Sequence, residues 1–373
     1  LKMRVCLVSS AYRPYISGVG EHVHYLGTEL QKLGHEVTVL TSTCQTMEDS
    51  ELLPAVRLGH GLIVRFGQGE FTIPVGLTLA AQVKHFFTNN HFDIVHCHGI
   101  FPPELAYWAA RYSPSPVIVT FHIVNPQLPD FICWAFQKIF PNLQLKLKAK
   151  IAVSHATEGW AEKFFPGTYW IIPNGVDLNR FHPDAKPALP VGLHPRLLFV
   201  GRLEKRKGLE YLIRAMPEVR NKFPDTTLTV VGHGPLRVYF HKLASQLGIS
   251  DAIQFVGPVP NNRLAPYYTS ATIYISPSIG REAMGIVLIE AMACGVPVIA
   301  SDIVGYNEVI ENGVNGILCS PGDVKSLNEA IIHLLSSPAL RKSLSTRAIM
   351  RAREFDWQVV TQKVVDVYKT VIN

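Results

Sequence analysis

Two stretches of this chain put charged side chains where an anion could be held. The first is Gly201-Arg202-Leu203-Glu204-Lys205-Arg206-Lys207-Gly208, which lies between the apolar run Leu197 to Val200 and the helical repeat of Leu209, Leu212, Ile213 and Met216. An arginine fork and a lysine point charge in such a loop can clamp a diphosphate. A solvated basic loop is the competing reading, and Gly201 and Gly208, which let a ligand approach the backbone, favour the clamp. The second stretch runs Glu282-Ala283-Met284-Gly285-Ile286-Val287-Leu288-Ile289-Glu290-Ala291-Met292-Ala293-Cys294-Gly295-Val296-Pro297. It predicts a helix from about Gly285 to Cys294, with Gly295 as its stop and Pro297 beyond it. The amides at the start of that helix, with their partial positive charge, suit a phosphate. Glu290 stands in an apolar helix and needs polar partners. Two helical turns bring it to a face near that of Glu282, so one carboxylate could meet a sugar hydroxyl and the other a ribose.

Other patterns carry less chemistry. His96-Cys97-His98 looks like a metal cluster, but neighbouring strand residues face opposite ways and three in a row cannot chelate together. Gly18-Val19-Gly20 matches two thirds of a dinucleotide fingerprint, since Val23 holds the third glycine position. No D-x-D triplet occurs, so the chain lacks that close carboxylate pair for a divalent metal, and metal independence is the working view. The cysteines Cys6, Cys44, Cys97, Cys133, Cys294 and Cys319 form no C-x-x-C pair and read as reduced thiols.

These residues need a scaffold, and the hydropathy pattern supplies one. Met3 to Ser9, Val37 to Leu40, Ile94 to His96, Val117 to Val119, Ile151 to Val153 and Trp170 to Ile172 read as strands separated by helical patterns. After the proline-rich stretch 183–195 the alternation resumes with Leu197 to Val200, Leu228 to Val231, Ile253 to Val256, Ile273 to Ser276, Val298 to Ser301 and Ile317 to Ser320. Apolar runs of this kind predict parallel sheets covered on both faces. The expected organisation is α/β: a Rossmann-like domain over 1–182, a second over 183–355, and a helix over 356–373 that returns to the first. The 373 residues are 47% hydrophobic and 17% charged, which excludes disordered, collagenous and disulfide-stapled classes. Residues 1–185 carry 14 basic and 14 acidic side chains, leaving 21 against 15 in the remainder, so the net charge of +6 belongs to the second half.

Taken together, Gly201-Arg202-Leu203 with Lys207-Gly208, and Glu282 followed at the eighth position by Glu290, resemble the donor-site motifs of the large family of retaining glycosyltransferases of GT-B fold that includes phosphatidylinositol mannosyltransferases and sucrose synthases. The resemblance extends over nearly the whole chain: Pro173-Asn174-Gly175-Val176-Asp177 is similar to the family's interdomain crossing and Gly34-His35-Glu36-Val37 to its first helix-to-strand turn. It implies two Rossmann-like domains with a cleft between them, and a nucleotide-diphosphate sugar as co-substrate. By the same resemblance Arg202 and Lys207 bind the diphosphate. Glu282 and the backbone of Ala283, Met284, Gly285 and Ile286 hold the transferred sugar and distal phosphate, Glu290 binds the ribose, and the strand carrying Val256 passes the base. Gly18 and Gly20 resemble the glycine loop that faces the donor phosphates, with Val19 interrupting the usual pair, and His122 matches the histidine near the transferred sugar.

The expected activity is metal-independent transfer of mannose, glucose or N-acetylglucosamine to a lipid-linked or saccharide acceptor, with retention through front-face attack. Rival readings are a sugar-nucleotide epimerase or phosphorylase on the same plan and a non-catalytic nucleotide-sugar binding protein. No nucleic-acid partner is expected. The segment Phe131 to Lys150 holds no acidic residue and combines Lys138, Lys146, Lys148 and Lys150 with Phe131, Ile132, Trp134, Phe136, Ile139 and Phe140. It reads either as a basic amphipathic element at an anionic membrane surface or as a buried helix with a lysine-rich exit. No run reaches the roughly 18 apolar residues of a membrane span, so the expected location is cytoplasmic, extending to a peripheral place at the inner face of the membrane.

Overall fold

The computed structural model describes residues 2–13, 17–43, 53–66, 69–75, 78–124, 129–192 and 194–372, which divide into two compact units. The first comprises 1–175 and 357–373, the second 176–356. The chain therefore crosses between units at Gly175 and Val176, earlier than the prolines suggest. Stretch 183–192 belongs to the second unit, where Ala188 and Leu189 donate backbone N–H groups to Pro266 O and Ser270 Oγ. Prolines there shape a surface strap and do not mark a boundary.

In chain order the first unit contains β1 (Arg4–Ser9), α1 (Gly18–Lys32), β2 (Glu36–Thr43), β3 (Ala55–Phe66), β4 (Gly69–Val75), α2 (Leu79–Asn89), β5 (Ile94–His98), α3 (Leu105–Tyr112), β6 (Val117–Phe121), α4 (Asp130–Ile139), α5 (Pro141–Lys146), β7 (Leu147–Ala152), α6 (His155–Ala161) and β8 (Trp170–Ile171). The strand order is β4-β3-β2-β1-β5-β6-β7-β8. It is parallel except at one edge, where β4 returns antiparallel along β3. That hairpin corrects the expectation of a wholly parallel sheet. The second unit contains β9 (Arg196–Val200), α7 (Leu209–Lys222), β10 (Thr227–Val231), α8 (Arg237–Gln246), β11 (Ile253–Gly257), α9 (Ala265–Thr269), β12 (Ile273–Ser276), α10 (Ile286–Ala293), β13 (Val298–Ser301), β14 (Ile317–Cys319), α11 (Val324–Ser336) and α12 (Pro338–Arg353). Its strands follow the order β11-β10-β9-β12-β13-β14, all parallel. The last helix, α13 (Trp357–Ile372), packs in the first unit.

Alternation along each central strand feeds two cores. Leu197 and Phe199 of β9 point into the core beneath α7 and α11, while Leu198 and Val200 join the core that buries α10. The first sheet does the same: Val5 and Leu7 pack with α1 and α13, Cys6 and Val8 with α2 and α3. Both sheets reverse strand order beside β1 and β9, the topological switch points at whose carboxyl ends open α/β sheets bind ligands. Five cysteines are buried free thiols, and Cys44 lies outside the described residues.

Candidate active site

In the second unit the loops after β9 and β12 meet. Lys205 to Lys207 wind into a single 3-10 turn closed by Gly208 in the left-handed region at φ +69°. A Cβ on Gly208 would lie 1.8 Å from the carbonyl oxygen of Pro277, so only glycine lets the two loop backbones approach this closely. The contact brings three basic side chains to two carboxylates. Arg202 Nε lies 2.7 Å from Glu204 Oε1, and Arg206 Nε reaches Glu204 Oε2 at 3.3 Å. Arg206 Nη1 also donates to Glu282 Oε1 at 2.8 Å, Lys207 Nζ approaches the same oxygen at 2.7 Å, and Ser278 Oγ donates to it at 3.1 Å. All three donors converge on Oε1, leaving Oε2 as the oxygen of Glu282 that they do not use. Three cations against two carboxylates give the cluster a net charge of +1, which favours an incoming anion.

Tyr306 supports this loop from below. Its hydroxyl lies 2.8 Å from Ser276 Oγ and 3.1 Å from Ser278 Oγ, and burial, reinforced by the charge of Glu282, keeps its proton firmly bound. Gly285, at φ +78°, precedes α10, and a Cβ there would strike the Tyr306 ring at 2.4 Å. The helix begins at Ile286, one residue later than predicted. Met284 is buried in the core. Arg281, at φ +59°, is the one non-glycine residue in the left-handed region among the described residues, a strained conformation of the kind that clusters at functional loops. Glu290 is buried on α10 and accepts a 2.7 Å hydrogen bond from Tyr268 Oη, the polar partner its setting demands. Burial and then the Glu290 charge push the Tyr268 phenol well above its ordinary range, so it remains a donor. Val256 lies half-buried on β11, beside Phe255, whose ring packs 4.0 Å from that of His241.

In the first unit the glycine pair sits inside a helix rather than in a free turn. Gly18 opens α1, Ser17 caps it, and Ser17 Oγ accepts the Gly20 N–H at 2.9 Å, so that amide already has a partner. His122 follows β6 and meets His98, from the end of β5, with His98 Nδ1 and His122 Nε2 3.0 Å apart. His22 of α1 packs edge-on to His122 at 4.5 Å between ring centroids and pairs with Asn174 Oδ1 through Nδ1 at 3.0 Å. His96 is held by Tyr368 Oη and Thr120 Oγ1, each at 2.7 Å. Burial lowers the His22 pKa to about 4 and that of His96 to about 3, and holds His98 and His122 well below the usual range. All four rings are neutral at pH 7.

Of the residues expected from the sequence, Arg202, Lys207 and Glu282 share one loop cluster, Glu290 lies on α10 and His122 lies in the first unit; Arg206, Glu204, Ser278 and Tyr306, which join the loop cluster, were not expected. Arg206 was visible as the neighbour of Lys207; the others carry no spacing signal. The argument against His96-Cys97-His98 holds for three adjacent residues, because Cys97 faces the opposite core. It overlooked that His98 meets histidines from two other elements. The lysine segment also needs correction, since Lys150 lies on β7 and donates to the carbonyls of Phe165 and Pro166.

Comparison with known proteins follows the same division. The family described as Glycosyl transferases group 1 matches residues 187–351, and Glycosyltransferase Family 4 matches residues 16–180. The phosphatidyl-myo-inositol mannosyltransferase of Mycobacterium leprae is 30% identical over 371 residues, spanning 99% of this chain and 97% of its own. Among solved structures, sucrose-phosphate synthase from Thermosynechococcus elongatus superposes with a TM-score of 0.77 at 24% identity, over 99% of each chain. The Anabaena protein HepE, solved with UDP and glucose, superposes at 0.79 with 19% identity, over 99% of this chain and 100% of its own.

Proposed function

Because the chain belongs to the GT4-type glycosyltransferases of GT-B fold, we propose that it is a retaining, metal-independent hexosyltransferase that moves mannose, or another hexose, from a nucleoside-diphosphate sugar to a lipid-linked or glycan acceptor. The observation that carries this reading is the convergence of Lys207 and Arg206 on one oxygen of Glu282, ahead of the glycine that opens α10. Lys207 and Arg202 meet the diphosphate, which competes with the carboxylates for them. Glu282 Oε2 accepts from a hydroxyl of the transferred sugar, and Glu290, aligned by Tyr268, accepts from the ribose. The departing diphosphate gains charge as the glycosidic bond breaks, and fixed cations with the α10 amides stabilise it. No carboxylate is assigned as a nucleophile, so the acceptor attacks from the leaving-group face and the phosphate oxygen takes its proton.

The acceptor belongs to the first unit, near His122. Similarity to lipid-directed mannosyltransferases supports a lipid-linked acceptor, as does α4 with α5. Phe131, Trp134, Ile139 and Leu145 there are 70%, 61%, 67% and 77% exposed, an apolar display flanked by Lys138 and Lys146. No described helix is long and apolar enough to cross a membrane, so the attachment proposed is peripheral. The deciding experiment incubates the protein with GDP-mannose, UDP-glucose or UDP-N-acetylglucosamine and phosphatidylinositol vesicles or glycan acceptors, and follows nucleoside diphosphate release. Release that requires an acceptor, yields an α-linked product and survives EDTA supports the reading. Release without acceptor, or isomerised donor, moves the protein to the epimerase or phosphorylase class, and donor binding without turnover to the binding-protein class.

A further inference from the structure

Elements α1, β5 and β6 place three imidazoles together in the first unit. One ring nitrogen from each of His22, His98 and His122 lies within 4.8 Å of the others, the one such metal-competent group among the described residues. The His98 Nδ1 to His122 Nε2 separation of 3.0 Å is close to the roughly 3.4 Å expected between nitrogens bound tetrahedrally to zinc at about 2.1 Å. Modest side-chain rotation therefore closes the set. Metal ligation needs neutral imidazole.

One further observation points to a ligand. His22 Nδ1 pairs with the Asn174 amide oxygen, which places the proton on Nδ1 and leaves the lone pair on Nε2, the outer support typical of a ligating histidine. His98 is buried, and its Nε2 has no hydrogen-bond partner among the described residues. The contact to His122 runs through His98 Nδ1, so a metal bound there leaves the proton on Nε2 and this orphan nitrogen is not the ligating atom. The donor set contains nitrogen alone, since Cys97 Sγ faces the opposite side and donates towards Ala106 O. Three imidazoles suit zinc, copper or cobalt and are poor ligands for magnesium, which demands oxygen.

We propose that His22, His98 and His122 form a transition-metal site, three imidazoles with a fourth position left to water, and that zinc bound there blocks glycosyl transfer by occupying His122. Binding stands on the geometry alone; the inhibition rests on the reading of His122 as the residue facing the transferred sugar. A metal-independent enzyme of this design would be one that metal can switch off.

The test titrates Co(II) into chelator-treated protein. Expected is the strong visible absorption of four-coordinate cobalt at one ion per chain, displaced by one equivalent of Zn(II). The variants His22→Gln, His98→Gln and His122→Gln should each bind cobalt at least tenfold more weakly. Where a variant loses its circular-dichroism spectrum, zinc-induced shifts of the imidazole nitrogen resonances in the wild type report on the same rings. Zinc at saturation should lower wild-type transfer at least tenfold, EDTA should restore it, and magnesium should do neither. No cobalt absorption, or equal affinity in the wild type and all three folded variants, overturns the site. Site-specific binding that leaves transfer untouched upholds the site and overturns the sugar-facing role of His122.

Discussion

At the scale of the residue, the second unit pairs Glu204 and Glu282 with Arg202, Arg206 and Lys207, so a ligand at the proposed diphosphate site would compete with carboxylates for its cations. Lys207→Ala removes a cation held 2.7 Å from Glu282, and a charge-assisted bond to a phosphate is worth roughly 1.5–3 kcal/mol, so nucleoside diphosphate affinity is expected to fall at least tenfold by calorimetry. Glu282→Ala should separate binding from turnover. It frees Lys207 and Arg206 for the diphosphate, so affinity for the bare nucleotide should hold or rise while transfer drops; a parallel loss of both would remove Glu282 from the sugar's side of the reaction. The buried histidines of the first unit make a different expectation, about pH. His22 and His96 have folded pKa values near 4 and 3, against an ordinary value of 6.5. Between those limits the unfolded chain binds more protons than the folded one. Their contribution is therefore complete above about pH 6.5 and is lost as pH falls towards 4, with roughly 2 kcal/mol lost per ring at pH 5. Urea unfolding followed at pH 7.5, 6 and 5 should show the decline, and it should be smaller in His96→Gln. A flat profile would mean that these rings titrate normally in the native state.

At the scale of the element, α13 is the piece whose removal says most. It buries Trp357, Val360, Val364, Val365, Val367 and Tyr368 in the first unit, and Tyr368 Oη holds His96. Each such side chain contributes about 1.5–3 kcal/mol when buried, so their sum matches or exceeds the 5–15 kcal/mol by which a domain is stable. A chain ending at Asp356 is expected to keep a folded second unit and an unfolded first one, visible as rapid proteolysis confined to residues 1–175; protection of both units would show that α13 is dispensable. The elements also show what was legible in the sequence. The central parallel strands were, because burial on both faces demands unbroken apolar runs such as Val117 to Val119. The β3–β4 hairpin was not: Arg57, Gly59, His60, Gly61 and Arg65 interrupt the apolar pattern of β3, the strand next to the β4 edge. Within the site, motif residues on one loop could be read from spacing, whereas the Arg206–Glu282–Ser278–Tyr306 contacts and the histidine group depend on separate loops and strand ends brought together by the fold.

At the scale of the whole molecule, the question is where the protein works, and the argument turns on the uneven distribution of charge and apolar surface. Residues 1–175 with 357–373 carry 15 basic and 13 acidic side chains and residues 176–356 carry 20 and 16, so the first unit holds only +2 of the net +6 and yet exposes apolar side chains of α4 and α5. A unit of net charge +2 gains little from long-range attraction to an anionic surface, so the proposed attachment has to come from local contacts: Phe131 and Trp134 entering the interface, and Lys138 and Lys146 beside them. Each lysine near an anionic leaflet is worth roughly 1 kcal/mol and each aromatic insertion a comparable amount, so binding should be weak, reversible and reduced by salt. Lys148, exposed on β7, adds to this face, whereas Lys150 is committed to the carbonyls of Phe165 and Pro166 and should contribute nothing. In flotation with phosphatidylinositol-rich vesicles, Phe131→Ser with Trp134→Ser and, separately, Lys138→Glu with Lys146→Glu are each expected to reduce the bound fraction at least tenfold at low salt. Both variants should leave nucleoside diphosphate affinity unchanged, because the altered residues lie in the other unit. Wild-type protein that does not float with anionic vesicles, or that floats equally at high salt and in both variants, would return α4 and α5 to the role of an ordinary surface and make a soluble glycan the better acceptor.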